Sequence, residues 1–192
     1  MNLQRLIFTV LDELHGASEQ HSCILAAAVM LEVLRAKGIK GAYPLTVKVI
    51  ILNPKLTERL RDDWRTLTPE RLSQLKSDDA GGIVTIGDGA ITDDDWPGHL
   101  IVVIPKALKG RDAMCDLTVT QASVPDWGIN LAPLVMGARE SFVDGSEKFG
   151  LVMNGCQLMY AAFPEDHSFK QTPIWKKRLS HDVIVRRVLK RL

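Results

Sequence analysis

Between residues 2 and 14 apolar residues recur at Leu3, Leu6, Ile7, Val10, Leu11 and Leu14, the three-to-four-residue recurrence of a helix that buries one face. This spacing predicts an amphipathic helix ended by Gly16. The next block differs in kind. Ser18 or Ser22 supplies a capping hydroxyl, and CILAAAVMLEVLRAKG then runs apolar on most faces as far as Gly38, the pattern of a helix buried nearly all round. Cys23 falls in its first turn. From Leu45 the β-branched run TVKVIILN, closed by Pro54, predicts a strand.

Residues 55 to 76 are charged and helical in pattern, with a break and fresh start at Pro69, and predict a surface cover. IVTIGDGAIT predicts a hairpin turning at Asp88-Gly89, followed by an acidic loop from Thr92 to Gly98. HLIVVIP (99 to 105) and AMCDLTV (113 to 119) are apolar β-runs separated by turn residues 109 to 112, which predicts an antiparallel pair. After a loop-rich stretch around Pro125, Gly128 and Pro133, LVMNGCQLMYAAF reads as one or two late strands, and IVRRVLKRL as a basic amphipathic helix. The expectation is one α+β domain over residues 1–192, with a helical insertion at about 54–96. No internal repeat breaks it.

Composition supports this picture and narrows it. Of 192 residues 46% are apolar, enough for a core, and 24 basic against 23 acidic residues give a net charge of +1, so the whole-molecule field favours neither nucleic acid nor anionic lipid. From Lys170 onward, eight basic residues face Asp182 alone. Interleaved Ile184, Val185, Val188 and Leu189 make that stretch a helix docked by one face, with nucleic-acid binding the lesser expectation. Three cysteines without paired spacing suggest a reducing, cytoplasmic setting rather than a disulfide framework. Neither a secretory signal nor a membrane-spanning apolar run is expected.

The chemistry-bearing residues are Cys23, His99 and Asp116. A thiol is nucleophilic as thiolate, and a helix N-terminus and a neighbouring imidazolium both favour that state. His99 opens an apolar strand after Trp96-Pro97-Gly98, where its ring stands at a sheet end. Asp116, amid apolar β-residues, is costly to bury without a partner, and an imidazole needing one nitrogen held is a fitting one.

Taken in order, Cys23 followed by Ala27, Leu31, Leu34, Gly38 and Ile39, then His99 in GHLIVVI, then Asp116 with Thr118 in DLT, resemble the transglutaminase-like branch of the papain-like cysteine enzymes. Residues 18 to 120 carry the likeness. It implies an α+β fold with the Cys helix packed on an antiparallel sheet, a Cys23–His99–Asp116 triad, and cofactor-free thiol chemistry on an amide, ester or thioester of a peptide, protein or small acyl substrate. The chain has Leu100 and Leu117 where that family often has an aromatic residue and a proline, and its 53–96 stretch is long. Gln20 and Trp96 are the candidates for oxyanion or substrate binding.

Other signals carry less. His15 and His21 lack a second ligand at metal spacing, Asp93-Asp94-Asp95 lacks the rest of a calcium loop, and the glycines at 81–82 and 87–89 lack the lysine of a phosphate loop. Trp127 and Trp175 read as local core or pocket lining. Beside a cysteine hydrolase or acyl transferase stands a second expectation, a non-catalytic interaction domain on the same scaffold.

Overall fold

The computed structural model describes residues 2–16, 22–60, 67–78, 82–87, 96–137 and 148–192. Helices α1 (Leu3–Gly16) and α2 (Cys23–Ala36) come first, then β1 (Tyr43–Leu52), α3 (Pro54–Leu60), α4 (Pro69–Asp78) and β2 (Ile83–Ile86). They are followed by β3 (His99–Leu108), β4 (Arg111–Asp116), β5 (Leu134–Gly137), β6 (Lys148–Met153), β7 (Cys156–Phe163), α5 (Pro173–Lys176) and α6 (Asp182–Arg191). The strands form one antiparallel sheet in the order β5-β4-β3-β1-β7-β6, with β2 also paired to β1. The α+β class and the packing of the Cys23 helix on an antiparallel sheet are as expected.

The sheet has two apolar faces, and each is covered differently. Leu100, Val102, Ile104, Ala113 and Cys115 pack under α1, α2 and α6, while the alternate positions Ile101, Val103 and Met114 join Leu45, Val47, Leu158 and Tyr160 inside the curl of the sheet. Helix α2 is buried without interruption from Cys23 to Met30, because sheet, α1 and α6 close round it. Its cap is Ser22, whose hydroxyl accepts from the Leu25 amide at 3.1 Å; Ser18 lies outside the described residues. The C-terminal helix docks by Ile184 and Val188, both buried, and Arg191 reaches Asp12 and Glu13 on α1 at 2.9 Å each.

Several boundaries moved, for local reasons. The predicted 113–119 strand stops at Asp116, where the chain turns into a 3-10 turn at Val119–Ala122, so Asp116 closes a strand rather than sitting mid-strand. The strand from His99 continues past Pro105 through a bulge between Ile104 and Leu108; Lys106 takes φ 55° there and its amide is caught by the Asp112 carboxylate at 3.0 Å. Asn154-Gly155, both at positive φ, turn β6 into β7 and settle that the late apolar run is two strands. The short strand Leu134–Gly137 was unanticipated.

The 54–96 stretch is not wholly a helical cover. Two helices of it pack through Leu56, Leu60 and Leu75 beside Leu52, with Asn53 capping the first by accepting from the Leu56 amide at 2.8 Å. But Ile83–Ile86 joins the main sheet, pairing Ile86 with Val49 and Ile83 with Leu52. It pairs with β1; the turn and second arm of the expected hairpin, residues 88–92, lie outside the described residues. Among the described residues no helix is long and apolar enough to cross a membrane.

Because α6 covers the α1–α2 pair with a buried apolar stripe, cutting the chain at about Lys176 should lower the melting temperature, not only the charge. Ile184→Ala alone should cost about 2–5 kcal/mol. A full-length and a truncated chain melting together in calorimetry would contradict this docking.

Candidate active site

One edge of β1 is shared by two strands. Tyr43–Val47 pair with β3, ending at Val47 opposite His99, and Val49–Leu52 pair with β2, beginning at Val49 opposite Ile86. The sheet therefore splits at Lys48, and His99 stands on the lip of the split. Gly87 makes the split possible: it takes φ +78°, and a Cβ there would run into the Val47 carbonyl and come within 3.2 Å of the His99 amide.

Cys23 reaches the same point from the other side of the sheet. Helix α2 lies on the face formed by Leu100 and Val102, with its N-terminus at the start of β3, and the Cys23 thiol contacts the Gly98 carbonyl at 3.8 Å. Cys23 and His99 line the same cleft, and the Cys23 side chain helps to hold the imidazole in its charged form. Cys115 pairs with Val102, so Asp116 falls opposite Ile101, on the inner face and diagonal to His99. Its two carboxylate oxygens lie 3.0 and 2.9 Å from His99 Nε2. With Nε2–H given to Asp116, Nδ1 is the nitrogen left for Cys23. The three residues expected to act together thus meet, although 76 residues separate Cys23 from His99 in the chain.

A fourth residue completes the buried network. Tyr160 on β7 donates its hydroxyl to Asp116 Oδ2 at 2.9 Å and its ring stacks on Phe149 with centroids 4.7 Å apart. Between β4 and β7 stand β3 and β1, a separation of about 14 Å in a flat sheet; only the curl of the sheet brings them into contact. The Thr118 amide donates to Asp116 Oδ1 at 3.2 Å. Each carboxylate oxygen therefore accepts from His99 and from one further donor, which is how a fully buried carboxylate is made tolerable.

Burial, with His99 only 2% exposed, pushes the imidazole pKa down, but the Asp116 charge and hydrogen bond, with those from Cys23, outweigh it and hold it up at about 10. At neutral pH His99 is an imidazolium beside Cys23. Cys115 and Cys156 are held as thiols. Burial, then the Asp116 charge, pushes Cys115 up to about 12, and burial also raises Cys156. Burial and Asp116 raise Tyr160 well above the phenol range, so it stays a neutral donor.

A cleft of about 350 Å³ opens at the split, lined by Cys23, His99, Thr85, Gly87, Gly98 and Gln121 among others. Gln121 comes from the 3-10 turn after Asp116. Trp96 does not line it. Its indole N–H donates to Ser168 Oγ at 2.8 Å and its ring lies against Gly98, leaving no room for a Cβ there, so it shapes the wall from behind. Gln20 and His21 lie outside the described residues. Trp127 and Asp126 are exposed on a 3-10 turn away from the cleft. Among the described residues no group of three His, Cys, Asp or Glu side chains could hold a metal ion.

No protein-family model, curated protein or solved structure matches this chain.

A raised imidazole pKa ties stability to pH. The His99 contribution is fully present below its ordinary value of 6.5 and is lost as pH rises through about 10. Melting temperature should therefore fall across that window, and in His99→Gln the fall should shrink. An equal fall in both proteins would show that His99 is not the titrating group. Tyr160→Phe, which removes one donor to a buried carboxylate, should cost about 1–3 kcal/mol in denaturant unfolding.

Proposed function

We propose that the protein is a cysteine-dependent acyl-transfer enzyme, a hydrolase or acyltransferase acting on an amide, ester or thioester, on a scaffold of the transglutaminase-like, papain-like kind. The observation that carries this reading is the buried His99–Asp116 pair, with Nε2 at 3.0 and 2.9 Å from the two carboxylate oxygens, set beside the Cys23 thiol in the lining of one cleft. A core cysteine needs no charged partner. A buried His–Asp pair aimed at a thiol is costly to the fold and useful to a nucleophile.

In this reading Cys23 Sγ, as thiolate, adds to the substrate carbonyl carbon, and the carbonyl π electrons move to oxygen. First-turn amides of α2 receive that charge. The Ser22 hydroxyl takes the Leu25 amide and its carbonyl takes Ala26, so the Cys23 and Ile24 amides are the first-turn donors nearest the thiol. Collapse of the adduct breaks the bond to the leaving group, which takes the proton from His99 Nδ1. The resulting acyl-thioester is attacked by water or an amine, His99 accepts the nucleophile's proton, and Cys23 leaves as thiolate. Asp116 keeps the ring oriented throughout and stabilises its charge. We place the reaction in the cytoplasm, where three unpaired thiols persist.

In native protein near neutral pH, a small alkylator such as iodoacetamide should label Cys23 well ahead of Cys115 and Cys156, which are wholly buried. Asp116→Asn should slow that labelling while Cys23→Ala leaves melting within about 1–2 kcal/mol of wild type. Slow, equal labelling of all three cysteines, unchanged by Asp116→Asn, would overturn the enzyme reading in favour of an interaction domain.

A further inference from the structure

A second cavity, of about 440 Å³, lies along the other end of α2. It is separate from the cleft: Leu31 and Arg35 in its wall stand eight and twelve residues beyond Cys23, about 12 and 18 Å along the helix axis. Its floor is apolar, formed chiefly by Leu31, Ile39, Pro44 and Trp175, and its rim carries Arg35, Lys40 and Arg178 with the single acid Glu32.

Two features make this a shaped site rather than a gap in packing. Gly38 and Gly41, at φ 77° and 82°, carry the link from α2 to β1 round it through conformations that residues with a Cβ adopt at a cost. Trp175, packed edge-on against Phe169 at 4.8 Å, holds Arg178 over its ring at 5.3 Å, and Arg178 Nη1 donates to the Trp175 carbonyl at 3.2 Å. The guanidinium is thereby pinned at the mouth by contacts that leave its charge unneutralised. Glu32 is already taken, accepting from Arg35 Nη1 at 2.8 and 2.7 Å. Lys40 and Arg178 make no ion pair among the described residues, so the rim keeps an excess of two positive charges over an apolar floor.

We infer that this cavity binds a small amphipathic anion, an alkyl or aryl body packed on Leu31, Ile39 and Trp175 with a carboxylate or phosphate head set against Lys40 and Arg178. Its volume lies in the range of small-molecule sites. A long polymer would meet the charges without filling the floor. The inference does not depend on the chemistry of Cys23.

Octanoate, octyl phosphate, octylammonium and octanol test it by calorimetry and by NMR shift mapping on the full chain. Octanoate or octyl phosphate should bind with Kd of about 1 mM or tighter, shifting residues around Leu31 and Trp175, and the tighter of the two identifies the head group. Octylammonium and octanol should bind at least about tenfold more weakly. Lys40→Glu, at an exposed position, should weaken the anions with an unchanged melting temperature, and Lys40→Glu/Arg178→Glu should weaken them further. If the double variant fails to fold, Lys40→Glu alone decides. No binding of either anion, equal binding of octylammonium or octanol, or anion affinity indifferent to Lys40→Glu would each overturn the inference.

Discussion

Asp116 has no exposed surface, and a carboxylate so placed is tolerable only if every lone pair that matters finds a donor. Three elements distant in sequence supply those donors: His99 from β3, Tyr160 from β7 and the Thr118 amide just beyond β4. Meeting that demand requires the sheet to curl until β7 faces β4, and it requires the strand carrying His99 to begin where it does. The same bonds keep the imidazole charged inside an otherwise apolar half-barrel. Fold and electrostatics are here one constraint. Buried ion pairs seldom surpass good apolar packing in stability, so the presence of this one is best understood through what it does to the thiol.

The thiol belongs to the opposite layer. Helix α2 is buried among α1, α6 and the outer face of β3, and only its first turn reaches the end of the sheet. The split of β1 between β3 and β2 opens a passage there, so a side chain from the inner face and one from the helix layer can touch. Gly87 and Gly98 keep that passage narrow in backbone and free of side-chain bulk. Behind it, Trp96 packs near Phe169 with centroids 6.1 Å apart, and Phe169 packs on Trp175, so the wall of the cleft is anchored in the main core.

What could be read from residues alone followed the range of each interaction. The α1 stripe and the all-apolar α2 are local patterns and stand as predicted within two residues. Cys23 in a first turn, His99 opening a strand and Asp116 among β-residues were also local signals, and their order along the chain suggested that they meet. Tyr160 gave no such signal, because its role depends on the curl of the sheet and on a β1–β7 register that places it opposite Val49. Ile83–Ile86 was legible as β-prone but not as a partner of β1, since four residues do not specify a register. Trp96 looked available for substrate because its bond to Ser168, 72 residues away, cannot be seen in sequence.

The central claim is that Asp116 keeps His99 protonated beside Cys23 at neutral pH. NMR titration of the His99 ring, labelled with nitrogen-15 and assigned by comparison with His99→Gln, measures this directly and needs no substrate. The account predicts imidazolium shifts through neutral pH, with the transition near 10. A His99 transition near its ordinary value of 6.5 would contradict it, leaving a neutral ring and a thiol without the charge proposed to activate it.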